Sequence, residues 1–210
     1  MSAPVLTPHG SVCESIETEV ARATGAEIVA YLDGASREGA CNRSHRTFQI
    51  SQSDTTWLDV LGSLLERLET RSWTYRDGTG MRGVWVLETM WHRPGRETIL
   101  TPGEAAAFVR GHFDAEGVVR GRGATRFSIR FAHESQTDLV HVRGLLRWLG
   151  MRCGRLHNPG TRQGPDAWHF DVLAGSHAGF IKTVGSWHPR KRALLTCAVP
   201  PAVVCVSGRG

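Results

Sequence analysis

The chain has 210 residues, of which 40% are apolar, and a net charge of +5. This length can hold one large domain or two small ones, each with an ordinary core. No run of about 20 apolar residues predicts a membrane span, and the first residues lack the basic and apolar segments of a cleavable leader.

The charge is distributed unevenly along the chain. Residues 1–100 hold 10 Arg against 13 Asp and Glu, a balance of −3, whereas residues 101–210 hold 15 Arg and Lys against 7 Asp and Glu, a balance of +8. A basic surface of this kind is compatible with a polyanionic partner. The five cysteines form no CxxC pair, which favours reduced thiols and a cytoplasmic location over disulfides or a zinc site.

The first part of the chain predicts a leader over 1–25 that contains a short helix from Cys13 to Arg22. Thr24 and Glu27 then have the capping-box spacing that begins a helix. This helix leads into residues 31–39, YLDGASREG.

Residues 40–53 alternate between polar and apolar side chains, which indicates strand structure. Thr55 or Thr56 is the expected N-cap of the helix that follows. The leucines on one face of that helix are Leu58, Leu61, Leu65 and Leu68. SWTYRD and RGVWVLETMW, separated by DGTG, predict a β-hairpin.

After a linker predicted at 92–102, the order of elements repeats. A helix ends in residues 108–117, FVRGHFDAEG, and strands are expected after it. The next helix presents a face made of Leu139, Val142, Leu146 and Leu149. A strand near Arg152–His157, the strand AWHFDVL and a further helix over His177–Ser186 complete the pattern.

Similar residues recur at nearly constant intervals. Glu38 and Glu116 are 78 residues apart, Phe48 and Phe127 are 79 apart, and Trp85 and Trp168 are 83 apart. A slowly drifting interval is typical of a duplicated unit with small insertions. We therefore expect a first repeat over 26–91, a second repeat over 103–195 and a C-terminal tail over 196–210.

Both repeats contain a run that ends in Glu-Gly. The end of a helix carries unpaired carbonyls and the negative end of the helix dipole, so a carboxylate there favours a cation. Two such ends side by side would make a divalent-metal site of oxygen ligands. The small residues Ala106, Ala107 and Gly111 would allow the helices to approach. Alternatively, Glu38 and Glu116 are two solvent-exposed glutamates at helix ends.

The two runs resemble the paired signature of the LAGLIDADG homing endonucleases. Residues 109–117 keep the glycines, the aspartate and the terminal acid-glycine, whereas the first copy keeps Glu38-Gly39 and has its other glycine displaced by one, at Gly34. Residues 46–68 and 180–195 also resemble the intron-encoded members.

The resemblance implies an α+β fold of duplicated α-β-β-α-β-β(-α) units. These would form a pseudo-twofold saddle with antiparallel DNA-binding sheets, in a monomer whose halves imitate a dimer. It also implies an intron- or intein-associated, site-specific endonuclease that hydrolyses phosphodiester bonds of double-stranded DNA with Mg²⁺; Ca²⁺ could occupy the same sites without supporting cleavage.

The same resemblance implies roles for individual residues. Glu38 and Glu116 would be metal ligands, assisted by the backbone carbonyls of Arg37 and Ala115. Lys191 matches the active-site lysine of the family, although a solvated basic run, HPRKR, is the alternative.

Gln52 matches a glutamine that organises water beside the metals, although it is otherwise an ordinary strand-end residue. Its counterpart aligns near Phe131, which cannot organise water. The first repeat has no clear counterpart of Lys191, so the two half-sites are expected to be chemically unequal.

The strands after each motif are expected to contact DNA. Alternation places one set of side chains on the groove-facing side of a sheet, where Arg can bind guanine and Asn or Gln can bind adenine. The predicted set is Asn42, Arg43, His45, Arg46 and Gln49 in the first repeat and Arg120, Arg122, Arg126, Ser128 and Arg130 in the second. Some of these would contact only phosphates or only solvent.

Two other functions fit the sequence. The first is a catalytically weak or inactive DNA-binding protein, or an RNA-splicing maturase, on the same fold. The second is an unrelated α/β enzyme or interaction protein, which salt-dependent duplex binding would exclude.

Overall fold

The computed structural model describes residues 15–37, 39–42, 46–78, 83–92, 99, 101–121, 127–158, 160 and 167–198. Five predicted site residues lie outside these ranges: Glu38, Arg43, His45, Arg122 and Arg126. Most of the predicted leader, linker and tail also lie outside them.

The described residues alternate between helices and strands in the order that the duplication predicts. The first half contains α1 (Ile16–Arg22), α2 (Gly25–Ala35), β1 (Ala40–Asn42), β2 (Thr47–Gln52), α3 (Thr56–Arg67), β3 (Ser72–Asp77) and β4 (Val84–Thr89). The second half contains α4 (Pro102–Glu116), β5 (Gly117–Arg120), β6 (Ser128–His133), α5 (Gln136–Trp148), β7 (Trp168–Val172), α6 (His177–Thr183) and α7 (Pro189–Ala198). The predicted α+β fold is confirmed.

Local signals explain where α2 and α3 begin. The Thr24 side chain accepts a hydrogen bond from the backbone N–H of Glu27 (3.2 Å), and the Glu27 carboxylate accepts one from the N–H of Thr24 (2.8 Å), which is the predicted capping box. Thr55 is the N-cap of α3 but makes no side-chain cap bond. Asp54 accepts from the N–H of Thr56 instead (3.0 Å).

The strands form two antiparallel sheets. Sheet A has the order β1-β2-β4-β3, and sheet B has the order β5-β6-β7. The strand predicted near Arg152–His157 is reduced to two isolated bridges, Cys153 with Val172 and His157 with His169. These bridges place that segment beside β7, as β3 lies beside β4.

The core lies between the helices and one face of each sheet. Phe48 and Ile50 of β2 and Ile129 and Phe131 of β6 are buried in it, together with the predicted helix faces. The fully buried aromatic side chains include Tyr31, Trp57, Phe113, Phe131, Phe170 and Phe180. No helix in the described ranges is long and apolar enough to cross a membrane.

The end of the second half differs from the prediction of one further helix. The chain forms α6, turns at Gly185, where φ is +61°, and restarts as α7 at Pro189. Glycine tolerates that left-handed backbone, and proline suits the first turn of a helix. The break matters because α7 carries Lys191.

Helices α2 and α4 pack at the centre of the molecule through two glycines. A Cβ added at Gly34 would lie 2.1 Å from the carbonyl oxygen of Phe108, and one added at Gly111 would lie 2.0 Å from that of Tyr31. Gly34 and Gly111, like Tyr31 and Phe108, are 77 residues apart. The contact is therefore pseudo-twofold, with each glycine against the backbone of the other helix.

Candidate active site

The two acidic motifs end differently. Glu116 is the last residue of α4, whereas α2 ends at Ala35, three residues before Glu38. The expectation that both acids lie at helix ends is therefore wrong for the first motif.

A tightened last turn explains why α2 ends early. The Ser36 hydroxyl donates to the carbonyl of Asp33 (2.9 Å), and the N–H of Arg37 bonds to the carbonyl of Gly34. The acid lies four positions after the packing glycine in the first motif (Gly34 and Glu38) and five positions after it in the second (Gly111 and Glu116). The displaced Gly34 is therefore a true one-residue difference between the repeats.

Glu116 is a half-buried carboxylate at the negative end of the α4 dipole. Its side chain is 24% exposed, and its Oε1 lies 3.8 Å from Nε2 of His133. Burial raises the pKa of Glu116, although His133 and Lys191 oppose this shift. A carboxylate in this position gains from a cation.

Lys191 lies beside Glu116 and closes the end of α4. Its ammonium donates to the carbonyl oxygens of Phe113 (2.8 Å), Asp114 (2.7 Å) and Ala115 (3.3 Å). A helix end leaves its last carbonyls without helical partners, and of these three the Phe113 carbonyl also accepts a hydrogen bond from the N–H of Gly117. Ala115, the predicted carbonyl ligand, therefore already accepts a hydrogen bond from Lys191.

Asp114 fixes the same helix end from the inside. It is buried and accepts hydrogen bonds from the hydroxyls of Ser186 and Tyr31 (2.8 Å for Tyr31) and from the N–H groups of Trp187 (2.8 Å) and His188 (3.1 Å). Burial raises the pKa of Asp114. Asp114 thus holds the segment that enters α7, while Lys191 on α7 holds the end of α4.

The second-repeat counterpart of Gln52 is His133, and the alignment with Phe131 is wrong. Gln52 pairs with Trp85 across sheet A, and His133 pairs with Trp168 across sheet B. Phe131 pairs with Phe170, is fully buried and stacks on that ring at 5.2 Å.

A difference in hairpin length caused this error. The pairs Asn42–Thr47 and Arg120–Ser128 leave four connecting residues in the first β-hairpin and seven in the second. The interval between repeats therefore rises from 78 to 81 within the hairpin. Phe48 consequently matches Ile129 rather than Phe127.

His133 has a defined orientation. Its Nδ1 accepts a hydrogen bond from the N–H of Ser135 (2.9 Å), so the ring proton belongs on Nε2, the nitrogen nearest Glu116. The ring lies 5.6 Å from that of His112. Sequence reasoning missed both histidines, although a histidine at an apolar position of the α4 motif was a visible signal.

Arg37 ties the end of α2 to the second repeat. Its guanidinium donates to Asp138 of α5 (2.6 Å), lies 3.5 Å from Asp33 and sits 5.5 Å from the ring centre of Phe108. The backbone leading to Glu38 is thereby anchored against α5.

The predicted DNA-contacting residues that are described lie mainly on the outer faces of the sheets. Strand pairing puts Asn42 and Gln49 on the face of sheet A opposite the core, and Arg120, Ser128 and Arg130 on that of sheet B. Arg46 is exposed in the first hairpin connection, with φ of +54°.

Gln49 and Arg130 are among the residues of this set that already have protein partners. Gln49 donates to the hydroxyl of Tyr75 (3.1 Å), which donates to the buried Glu88 (3.2 Å). Arg130 makes two 2.9 Å hydrogen bonds to Asp171. Arg120 is exposed.

The donor set at Glu116 fits a hard divalent cation. Carboxylate and carbonyl oxygens converge at the end of α4, and Mg²⁺ ordinarily takes only one or two carboxylates and completes its shell with water and substrate phosphates. In the described ranges, no three His, Cys, Asp or Glu side chains form a ready-made metal site. An ion bound here would therefore need ligands from the substrate, from water or from Glu38.

No protein-family model matches the sequence, and no curated protein matches it either. Solved structures do match. The crystal structure of I-DmoI in complex with DNA and Ca has a TM-score of 0.61 at 17% identity and covers 82% of this chain and 98% of its own. The N-terminal LAGLIDADG domain of DUF199/WhiA has a TM-score of 0.62 at 13% identity and covers 84% and 94%. Full-length DUF199/WhiA from Thermatoga maritima has a TM-score of 0.63 at 12% identity and covers 86% and 64%.

Proposed function

Because the chain has the LAGLIDADG fold, we propose that it is a site-specific DNA endonuclease that hydrolyses phosphodiester bonds of a long double-stranded target. The observation that carries this proposal is the position of Glu116, half-buried at the end of a central helix and flanked by Lys191 and His133. I-DmoI is described as a homing endonuclease and was solved with DNA and with Mn or Ca.

The proposed partner is duplex DNA, bound by a cytoplasmic monomer across the outer faces of both sheets. Arg120 and Arg130 would contact guanine or phosphate, and Asn42 and Gln49 would contact adenine or phosphate. Arg43, His45, Arg46, Arg122, Arg126 and Ser128 complete the proposed set. Of these six residues, Arg46 in the first hairpin connection and Ser128 on β6 are described, and their positions support the assignment.

The proposed cofactor is Mg²⁺, held by Glu116 and Glu38 with the carbonyls of Ala115 and Arg37. When bound, divalent ions supply an activated water and stabilise the leaving oxygen of an in-line displacement. The negative charge of Glu116 adds to the negative end of the α4 dipole, so this helix end favours a bound cation. Asp114 and Lys191 keep this helix end rigid, so that Glu116 does not need to reorganise.

Lys191 would act on the substrate through its charge, since its ammonium already bonds three carbonyls of α4, and Gln52 would act on water. The Lys191 ammonium places a positive charge beside the site where negative charge develops on a scissile phosphate. Gln52, at the end of β2, would orient water near the first acid. His133 occupies the matching strand end near Glu116.

A catalytically weak DNA-binding protein or RNA-splicing maturase is the second candidate. The first motif favours this candidate, because α2 ends at Ala35, three residues before Glu38, whereas α4 ends at Glu116 itself. The described part of the first repeat also offers no lysine in the place of Lys191. The fold likeness to the LAGLIDADG domain of WhiA adds some support.

Cleavage of selected DNA separates these candidates. Duplexes bound from a randomised library in Ca²⁺ would be recovered, amplified and transferred to Mg²⁺ with the unmodified protein or with Glu116→Gln. We expect the unmodified protein to cut them, and the variant to bind with similar affinity while cutting at least a hundredfold more slowly.

Two results would contradict the proposal. Duplex binding without cleavage by the unmodified protein would favour the non-cleaving candidate. Absence of binding at low salt would remove both candidates, since phosphate contacts make duplex binding strongest there.

A further inference from the structure

His133 lies 3.8 Å from Glu116, and the sequence did not predict a role for it. It is the last residue of β6, and its side chain is 14% exposed. Lys191 also lies close to the carboxyl end of α4, where its ammonium bonds the carbonyl of Ala115.

One hydrogen bond orients this imidazole, and two further side chains lie near it. The N–H of Ser135, the N-cap residue of α5, donates to Nδ1. Asp138 lies 4.0 Å from the same nitrogen. The rings of His112 and His133 are 5.6 Å apart, so His112 closes the inner side.

These contacts leave Nε2–H directed at Glu116. The 3.8 Å between Nε2 and Oε1 is longer than a direct hydrogen bond, and one bridging water or a small rotation of either side chain would join the two groups. A donor held in this way selects one orientation of the carboxylate. Partners that orient ligands are worth about 10- to 100-fold in metal affinity or activity.

Resting on the proposed function, we infer that His133 is a positioning residue for the second half-site, where it orients the Glu116 carboxylate for the divalent cation and the scissile phosphate. The matching position of the first half-site holds the amide of Gln52. The two half-sites are therefore organised by different side chains. A change at His133 affects the cleavage of one DNA strand only.

The test compares His133→Phe with His133→Gln. Phenylalanine keeps a ring of similar size beside His112 and Phe131 but has no donor. Glutamine restores an N–H donor, the group that the pseudo-symmetric position already holds. Gln52→Leu serves as the matched control in the first half-site, and thermal unfolding of each variant verifies that it folds.

Two readouts are measured on duplex selected for binding. With each strand labelled at one end, we expect His133→Phe to slow the cleavage of one strand by tenfold or more and that of the other by less than threefold. Gln52→Leu should show the reverse strand preference. The cleavage rates of His133→Gln should stay within about threefold of those of the unmodified protein. We also expect His133→Phe to need at least tenfold more Ca²⁺ for the metal-dependent gain in duplex affinity.

Equal slowing of both strands, or no slowing, in a folded His133→Phe protein would overturn the inference, as would failure of His133→Gln to restore cleavage. If the unmodified protein binds duplex with help from Ca²⁺ but cuts neither strand, the proposed endonuclease function fails. The Ca²⁺ comparison would then still decide whether His133 orients Glu116.

Discussion

His112 is a histidine at a position of the central helix where an apolar side chain is expected. It is fully buried, and neither ring nitrogen has a hydrogen-bond partner among the described residues. Burial lowers its pKa from 6.5 to about 3. The ring is therefore neutral at pH 7, and its unpaired nitrogens cost stability.

Replacing His112 by leucine should change how stability depends on pH. Because the folded-state pKa lies below the unfolded value, the stability associated with a neutral ring is fully present above pH 6.5 and is lost as the pH falls towards 3. The loss approaches about 1.4 kcal/mol per pH unit. The free energy of unfolding of His112→Leu, taken relative to that of the unmodified protein, should be about 2 kcal/mol higher at pH 5 than at pH 7.

Urea unfolding at the two pH values measures this difference. His188, whose pKa burial lowers to about 4, should leave a residual pH dependence in the variant. An unchanged pH dependence in His112→Leu would show that the buried ring is protonated or finds a partner in solution.

At the scale of the element, the α2–α4 contact depends on the absence of two Cβ atoms. Gly34 and Gly111 each face backbone atoms of the other helix at distances that a Cβ cannot occupy. A flexible side chain could move aside, but a helix backbone cannot do so without separating the pair. The same contact fixes how α2 and α4 lie against each other.

Gly111→Ala should therefore destabilise the protein although alanine favours helices. We expect a loss of about 3 kcal/mol or more, since overpacking here displaces backbone. Gly62→Ala in α3 and Gly144→Ala in α5 are matched controls, because nothing lies within 4 Å of their added Cβ. Those controls should gain up to about 1 kcal/mol. Chemical denaturation of the three variants compares them, and a neutral Gly111→Ala would disprove close packing of α2 and α4.

Elements with local signals could be predicted from the sequence. The capping box of Thr24 and Glu27, the leucine face of α3 and the β3–β4 hairpin all depend on residues within one element or one turn. The second motif could be found because its glycines and acid keep their spacing.

The parts that could not be predicted depend on pairing between distant residues. The three extra residues in the second hairpin connection raise the interval between the repeats to 81, so the counterpart of Gln52 is His133 rather than Phe131, and only the pairing with Trp168 reveals this. Likewise, the early end of α2 depends on how Ser36 bonds to the preceding turn. Asp114 holds the segment that enters α7, and Lys191 holds the end of α4. These contacts could be identified only once the position of α7 was known.

At the scale of the whole molecule, the duplication is symmetric at its centre and unequal at its periphery. The glycine contact follows a pseudo-twofold axis, but Glu116 ends its helix and Glu38 does not. Arg37, which follows the early end of α2, is anchored on α5 of the other repeat. The second half-site therefore has the more complete set of described groups: Glu116, His133 and Lys191.

The outer faces of the two sheets also differ in charge. Sheet B presents Arg120, His169 and the ion pair of Arg130 with Asp171, whereas the described outer face of sheet A presents Asn42, Gln49 and Tyr75 above the buried Glu88. Arginine-rich faces suit guanine and phosphate, and amides suit adenine. We therefore expect an asymmetric target whose two halves differ in base composition.

The most direct test of this account is the location of Mn²⁺, which scatters anomalously, in crystals of the protein bound to a selected duplex. The account predicts an anomalous peak within coordination distance of the Glu116 carboxylate and of a DNA phosphate, at the ends of α2 and α4, and loss of that peak in Glu116→Gln. A duplex bound across the sheets with no Mn²⁺ at Glu116, or with the metal elsewhere, would contradict the assignment of this site.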